Sequence, residues 1–252
     1  MLDLLKRIQH DFATLDTRAI TALTYAAVGL TAIYYLKDPN VGAAVFTSVG
    51  IPEFASLILH PTRSNLPALS WWVAVVTVFY IVIPLILIKF VWRSNIADYG
   101  INLRIDPGFH KLLAICLSVM IPLVYVMSLT TGFAGKYPFF RIFNGESYLG
   151  PMLITWQLLY FLQFFGLEFF FRGFLVHSLK PALGLYSVFV MTVPYCMIHF
   201  GKPPAETIAA ILAGIFLGWL SFKNGSIWLG LILHCAVALL MDLFALHAKG
   251  LI

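Results

Sequence analysis

Long apolar runs are the feature of this sequence that most constrains its fold. The runs are about 17 to 25 residues long, the length a helix needs to cross roughly 30 Å of hydrocarbon. Of the 252 residues, 61% are hydrophobic and only 11% are charged, whereas a soluble domain carries about 25% charged residues. This composition excludes a soluble globular enzyme. It predicts an integral membrane protein, folded as an all-α polytopic bundle of transmembrane helices.

The apolar runs predict about seven to eight spans. Seven runs qualify by length and hydropathy, with boundaries set to within about 2 to 4 residues. They are 18–36, 68–92, 111–131, 149–180, 184–200, 205–223 and 226–246. An eighth candidate, 41–59, contains Pro52 and Glu53 side by side, so it is compatible either with a full crossing or with a re-entrant or interfacial segment.

Loop length divides the chain into two predicted regions. Residues 1–148 combine about three spans with polar loops, whereas 149–252 is nearly continuous helix and is predicted to form a four-helix core.

With seven spans, nine Lys and Arg residues fall on one side of the membrane and six on the other. The six are Lys37, Arg63, Lys136, Arg141, Lys202 and Lys249. Because Lys and Arg are enriched on the cytoplasmic side, the N-terminus is predicted to be cytoplasmic. Membrane topology explains the net charge of +5, so the predicted partner is the lipid bilayer and not nucleic acid.

Ionisable side chains inside the apolar runs are the candidate functional residues, because each costs about 2.5 to 3.5 kcal/mol at a helix centre. Glu168 and Arg172 lie four residues apart in LEFFFRGFL. They form either a neutralising structural pair or a carboxylate held ionised for chemistry. His199 ends one run, where an interfacial position is the simpler explanation. His234 lies about 12 Å inside the last run, where that explanation does not apply.

Two further carboxylates lie on the same group of helices. Glu206 follows Lys202 and two prolines in the first turn of the next helix, where the helix dipole alone favours an acid. Asp242 follows His234 by eight residues, so it either borders the same cavity or marks the emergence of the helix into water. Histidines and carboxylates together predict a site that activates water, with or without a metal.

The predicted depths of these residues in the membrane differ, which argues against a shared site. Counted from the inner helix ends, Glu168, His234 and His199 lie about 18, 12 and 23 Å deep. Upright helices would therefore keep these side chains apart. A tilt, or a kink at Pro194, is expected to bring them together.

The C-terminal region resembles the CAAX protease and bacteriocin-processing family, also called the Abi family of intramembrane proteases. That family shows Glu-Glu-x-x-x-Arg, Phe-x-x-x-His and His-x-x-x-Asn on successive membrane helices. The corresponding residues here are Glu168, Arg172, Gly173, Phe174, Leu175, Tyr195, His199, GSIW at 225–228 and His234. The resemblance implies an intramembrane endopeptidase similar to type II CAAX prenyl proteases. It also implies a bacterial plasma membrane and a membrane-associated peptide or protein substrate.

Two positions depart from the family pattern. Leu167 stands where the family has its first glutamate, and Ala238 stands where it has the asparagine. In the family, that glutamate is thought to activate water together with the first motif histidine, which leucine cannot do. Glu206 and Asp242 are therefore predicted to supply the missing carboxylate and polar partner.

The resemblance implies a role for each matching residue. Water would be polarised by Glu168 or Glu206 together with His199. Arg172 would fix the Glu168 carboxylate, and His234 would hold the developing oxyanion or ligate a metal. If a metal is used, we expect zinc bound by His199 and His234. Two alternatives stay open: an inactive family member acting as a membrane binding or immunity protein, and a proton-coupled transporter.

Overall fold

A computed structural model describes residue 6, residues 10, 11 and 13 to 102, and residues 108 to 252. Within these residues the chain forms helices and turns, with two isolated β-bridges and no strand. The helices are α1 (Thr17–Leu36), α2 (Pro39–Ser48), α3 (Pro52–Leu59), α4 (Leu66–Val91), α5 (Phe109–Ser128), α6 (Thr131–Lys136), α7 (Pro151–Leu183), α8 (Tyr186–Met197), α9 (Pro204–Asn224) and α10 (Trp228–Ala248). Six of them, α1, α4, α5, α7, α9 and α10, are long and apolar enough to cross a membrane. The predicted polytopic helical bundle is confirmed.

The fifth predicted span, 184–200, is shorter than expected. Its helix, α8, has 12 residues and rises about 18 Å, less than the roughly 30 Å of hydrocarbon. It packs mainly against α9. After Met197 the chain continues as turns through 198–203, and this segment carries His199.

The candidate eighth span is not a single helix. α2 has 10 residues and α3 has 8, and a turn containing Gly50 at φ +82° separates them. The two helices pack against each other and against α4. Neither is long enough to cross the bilayer, because about 20 residues are needed. The structure thus favours the re-entrant or interfacial interpretation of this segment.

α7 is the central helix of the bundle. It has 33 residues, and 72% of its most apolar 18-residue stretch is buried inside the protein. Residues 169–175 form a π-helical segment in which every residue is buried. This segment begins directly after Glu168 and includes Arg172. A π turn inside an α-helix is rare and occurs frequently at functional sites.

Aromatic packing fixes α7 to the N-terminal helices. Phe170 stacks on Tyr80 of α4 with ring centroids 4.8 Å apart, and Phe174 stacks on Trp92 at 5.4 Å. Both phenylalanines are almost fully buried. Lipid tails are as apolar as these side chains, so close packing holds this interface, with about 0.5 to 1.5 kcal/mol from each aromatic pair. The division of the chain at residue 148 stays a prediction.

Candidate active site

Glu168, Arg172 and His234 form the buried centre of the candidate site. Nη1 of Arg172 lies 3.0 Å from Oε1 of Glu168, and Nδ1 of His234 lies 2.6 Å from the same oxygen. The Glu168 and Arg172 side chains are both 0% exposed. A buried carboxylate needs a compensating positive charge, and Arg172 supplies it. The pair faces the interior of the bundle and not lipid.

Gly230 allows α10 to approach Glu168 closely. It lies on the same face of α10 as His234, one helical turn earlier. The Glu168 carboxylate occupies the space that a Cβ at Gly230 would need. The absence of a side chain at this position therefore lets the carboxylate lie beside His234.

Tyr195 links the two histidines. Its hydroxyl lies 3.2 Å from Nε2 of His234, and its backbone carbonyl accepts a hydrogen bond from Nδ1 of His199 at 2.8 Å. The Arg172 guanidinium lies 3.7 Å from the centre of the Tyr195 ring. Tyr195 therefore contacts both histidines, one through its hydroxyl and the other through its backbone.

Hydrogen bonding sets which nitrogen of His199 can act as a base. A carbonyl oxygen only accepts hydrogen bonds, so Nδ1 of His199 carries the proton that it donates to Tyr195. In the neutral ring, Nε2 is then the acceptor nitrogen. His199 is therefore oriented as a proton acceptor through Nε2.

The ring of His234 is held on two edges and one face. Glu168 lies at Nδ1 and the Tyr195 hydroxyl at Nε2, while Phe164 stacks on the ring with centroids 5.3 Å apart. A carboxylate beside one imidazole nitrogen fixes the ring orientation and stabilises positive charge that develops on it. His234 is accordingly positioned to work through Nε2.

A cavity of about 330 Å³ adjoins these groups. Its wall comes mainly from α5, α7, α9 and α10, and it includes Tyr195, His199, Glu206 and His234. Most of the other lining side chains are apolar. A cavity of this size with a few convergent polar groups is typical of a site for a small ligand or a substrate side chain.

Both departures from the family motif lie in the wall of this cavity. Leu167 and Ala238 line it, and each is nearly fully buried. The wall is thus apolar at the two positions where the family pattern has a carboxylate and an amide. These substitutions change the chemistry of the cavity itself and not that of a remote surface.

Glu206 lines the same cavity but has its own partners. The Tyr137 hydroxyl lies 2.9 and 2.8 Å from its two carboxylate oxygens, and Nζ of Lys202 lies 2.6 Å from Oε1. Burial, together with nearby Tyr160 and Glu206, raises the pKa of Tyr137. The tyrosine hydroxyl therefore keeps its proton and donates a hydrogen bond to the carboxylate. Tyr137 and Lys202 together orient Glu206 at the cavity.

Asp242 joins α10 to α7. Its carboxylate is fully buried, and Oδ2 accepts hydrogen bonds from Nε1 of Trp156 at 2.8 Å and from Nε2 of Gln157 at 2.7 Å. The side chain does not emerge into water, and it is not among the residues that line the cavity beside His234.

The described residues provide two imidazoles but not a set of metal ligands. Among them, no group of three His, Cys, Asp or Glu side chains lies close enough to hold an ion. A catalytic zinc usually has three protein ligands. One nitrogen of His199 is occupied by the Tyr195 carbonyl, and one nitrogen of His234 by Glu168. These residues do not fit a catalytic zinc site, and zinc stays a prediction from the sequence alone.

Three residues of the site were not predicted as functional. Tyr195 occupies the first position of the Phe-x-x-x-His pattern, so its place in the motif was a usable signal. Gly230 lies one turn before His234, which is a weak signal. Tyr137 lies outside the region of resemblance, and nothing in its local sequence indicates that it contacts Glu206.

Comparison with known protein families identifies the C-terminal region. Residues 149–240 match the family described as "Type II CAAX prenyl endopeptidase Rce1-like". This region is similar to that family. The matched segment contains Glu168, Arg172, His199, Glu206 and His234, and Asp242 lies just beyond it. Searches of curated proteins and of solved structures gave no significant match.

The family assignment confirms the resemblance seen in the sequence motifs. That family is one of prenyl endopeptidases, so the similarity supports a peptidase at the level of the family. Six apolar helices and a membrane protease family together identify an integral membrane protein.

Proposed function

We propose that this chain is an intramembrane endopeptidase that hydrolyses a peptide bond in a membrane-associated peptide or protein. The observation that carries the proposal is the position of His234. A buried, charge-compensated carboxylate contacts its Nδ1, and the ring faces a cavity that also contains His199 and Glu206. A bacterial plasma membrane and a cytoplasmic N-terminus belong to the same proposal.

In the proposed reaction, Glu206 and His199 activate the attacking water. Both line the cavity, whereas Glu168 is fully buried and is not part of the lining. Nε2 of His199 or the Glu206 carboxylate accepts a proton from water as its oxygen adds to the scissile carbonyl carbon. That proton then passes to the leaving amine as the carbon–nitrogen bond breaks.

The other half of the site stabilises the oxyanion of the tetrahedral intermediate. His234 and the Tyr195 hydroxyl present polar groups to the same cavity. Glu168 orients His234, and Arg172 balances the charge of Glu168. Donors that are fixed in place before the reaction stabilise developing negative charge without reorganisation.

Cleavage of a library of membrane peptides in liposomes tests this proposal. We expect cleavage by the wild type and a loss of about 100-fold or more in Glu206→Gln, the size of a general base contribution. Glu168→Gln should also lose activity, because His234 loses the carboxylate at Nδ1. Glu146→Gln is the matched control, since that exposed carboxylate binds Arg63 and neither residue lines the cavity.

Two results would contradict the proposal. Undiminished cleavage by Glu206→Gln, in a folded protein, would remove Glu206 from the mechanism. Failure of the wild type to cleave any peptide of a broad library would reject the protease function.

A binding protein without catalytic activity is the second candidate, favoured by the apolar wall at Leu167 and Ala238. In that case the wild type binds a membrane peptide without cutting it. Leu167→Glu combined with Ala238→Asn would then be expected to introduce cleavage. Cleavage by the unmodified chain would reject this second candidate.

A further inference from the structure

A second cavity lies where α1 ends and α4 begins. It is open, has a volume of about 760 Å³ and is lined by Lys37, Lys136 and Arg141, with Asp38 as the acidic residue in its wall. Trp72 belongs to the walls of both this cavity and the candidate active site. The proposed peptidase reaction uses none of the three cations.

The three cations have no carboxylate partner in the described part of the chain. No Asp or Glu oxygen there lies within 4.0 Å of the charged nitrogens of Lys37, Lys136 or Arg141. Asp38 instead accepts hydrogen bonds from the backbone and side-chain nitrogens of Asn40, at 2.8 and 2.9 Å. The cavity therefore carries a net positive charge from its own lining.

The cations are close enough to disfavour one another. Partial burial lowers the pKa of Lys37, and the positive charge of Lys136 lowers it further. Like charges gathered around one cavity repel, and an anion between them removes that repulsion. The charge distribution thus favours an anionic ligand.

Aromatic residues place this cavity at the membrane surface. Tyr34 and Tyr35, at the end of α1, are 67% and 66% exposed and line the cavity with Phe143. Exposed tyrosines at the end of a transmembrane helix lie at the level of the lipid headgroups. Apolar rings beside cations suit a ligand that has both a phosphate and a hydrocarbon part.

We propose that this cavity binds the phosphate headgroup of an anionic phospholipid. A lipid phosphate carries the negative charge that these three cations attract. The phosphate lies among Lys37, Lys136 and Arg141, and the glycerol and the first part of the acyl chains contact Tyr34 and Tyr35. The exposed rings favour a lipid over free phosphate, which has no apolar part to contact them.

Native mass spectrometry of protein released from nanodiscs tests the site. The nanodiscs contain equal amounts of phosphatidylglycerol and phosphatidylcholine, and the retained lipids are counted. We expect the wild type to retain phosphatidylglycerol selectively. Lys37→Gln, Lys136→Gln and Arg141→Gln together should weaken this retention about tenfold or more, because each cation near a phosphate contributes to attraction.

A second triple variant controls for net charge. Lys89, Lys111 and Lys223 are exposed and lie at the opposite ends of α4, α5 and α9, so replacing them with Gln removes the same charge. This control should retain lipid as the wild type does. Equal loss in both triple variants, or no loss in the cavity variant, would overturn the proposal. If the cavity triple does not fold, Arg141→Gln alone should still weaken retention, and wild-type retention there would also overturn it.

Binding of soluble ligands distinguishes a lipid headgroup from free phosphate as the anion in this cavity. Titration with short-chain phosphatidylglycerol and with inorganic phosphate should show tighter binding of the lipid. Equal affinity for inorganic phosphate would reject a lipid ligand. A free-acid peptide that binds more tightly than the lipid, while its amidated form does not bind, would replace the lipid with a substrate carboxylate and overturn the proposal.

Discussion

The Glu168 carboxylate lies in the space that a side chain on Gly230 would fill. Glu168 belongs to the central helix α7, and Gly230 to the last helix α10. Because His234 follows Gly230 by one turn on the same face, this close approach sets the 2.6 Å distance between Glu168 and His234. The geometry of the histidine therefore depends on a residue that takes no part in the chemistry.

Gly230→Ala should lower activity without lowering stability to the same degree. The added methyl group displaces the Glu168 carboxylate from His234, whereas alanine in a helix is intrinsically favoured over glycine by about 1 kcal/mol. We expect a loss of about tenfold or more in peptide cleavage, in line with general acid–base contributions. Gly132→Ala is the matched control, because nothing lies within 4 Å of a Cβ there. Wild-type cleavage by Gly230→Ala would contradict this role.

Arg172→Leu should strongly destabilise the protein. The substitution leaves Glu168 buried and without its cation, which costs about 3 to 5 kcal/mol for a broken buried pair. Thermal unfolding in detergent measures the effect. Arg63→Leu breaks the exposed pair with Glu146 and should leave stability nearly unchanged. If both variants unfold like the wild type, the buried pair is not structural.

His199 and His234 should be close enough to be joined by a short reagent. We expect a bridging reagent to crosslink the His199→Cys/His234→Cys variant, because both histidines contact Tyr195. The natural cysteines Cys116, Cys196 and Cys235 are first replaced by alanine. The control pair is His177→Cys with His199→Cys, since His177 contacts Ser221 in a different part of the bundle. Absence of a crosslink in a folded protein would count against a shared site.

Tyr137→Phe should destabilise the protein by about 1.5 to 3 kcal/mol, the value of a hydrogen bond to a charged group. The variant removes the hydroxyl that donates to Glu206, and Tyr137 is almost fully buried. Tyr186→Phe, at a position that is 75% exposed, is the control and should leave stability unchanged. A stability loss of the same size in both variants would argue against the Tyr137–Glu206 bond.

The stability of the wild type should also depend on Tyr137 at alkaline pH. Burial raises the pKa of Tyr137, so the folded protein keeps a proton that the unfolded chain releases above about pH 10. The contribution is fully present below that pH and is lost as the pH rises further. The free energy of unfolding should therefore fall more steeply in the wild type than in Tyr137→Phe. Equal slopes would show that other groups cause the decline.

The long spans could be predicted from the sequence because a run of about 20 apolar residues is by itself long enough to cross the bilayer. The two exceptions, 41–59 and 184–200, have the right hydropathy but are interrupted. A turn at Gly50 divides the first, and the second ends as a helix at Met197. Hydropathy counts apolar residues and does not show where the backbone leaves the helix.

The sequence predicts only those site residues that are energetically unfavourable within their own apolar segment. Glu168, Arg172 and His234 were found because an ionisable group inside an apolar run is unfavourable unless it has a partner or a function. Tyr137 contacts Glu206 across 69 positions of sequence, and Gly230 matters only because Glu168 packs against it. Such contacts depend on how distant helices pack, which no local pattern encodes.

The short helix α8 has a consequence for the membrane around it. Lys180 and Lys223, at the ends of α7 and α9, mark one surface, so the shortfall in length falls at the His199 end. The turns at 198–203 complete the path to the opposite surface, because α9 begins directly after them at Pro204 and is long enough to return to Lys223. Non-helical backbone at membrane depth occurs where it is buried in protein or lines a water-filled cavity, and His199 in these turns lines the cavity of the candidate site. In the proposed reaction, the early end of α8 therefore leaves room for water beside His199.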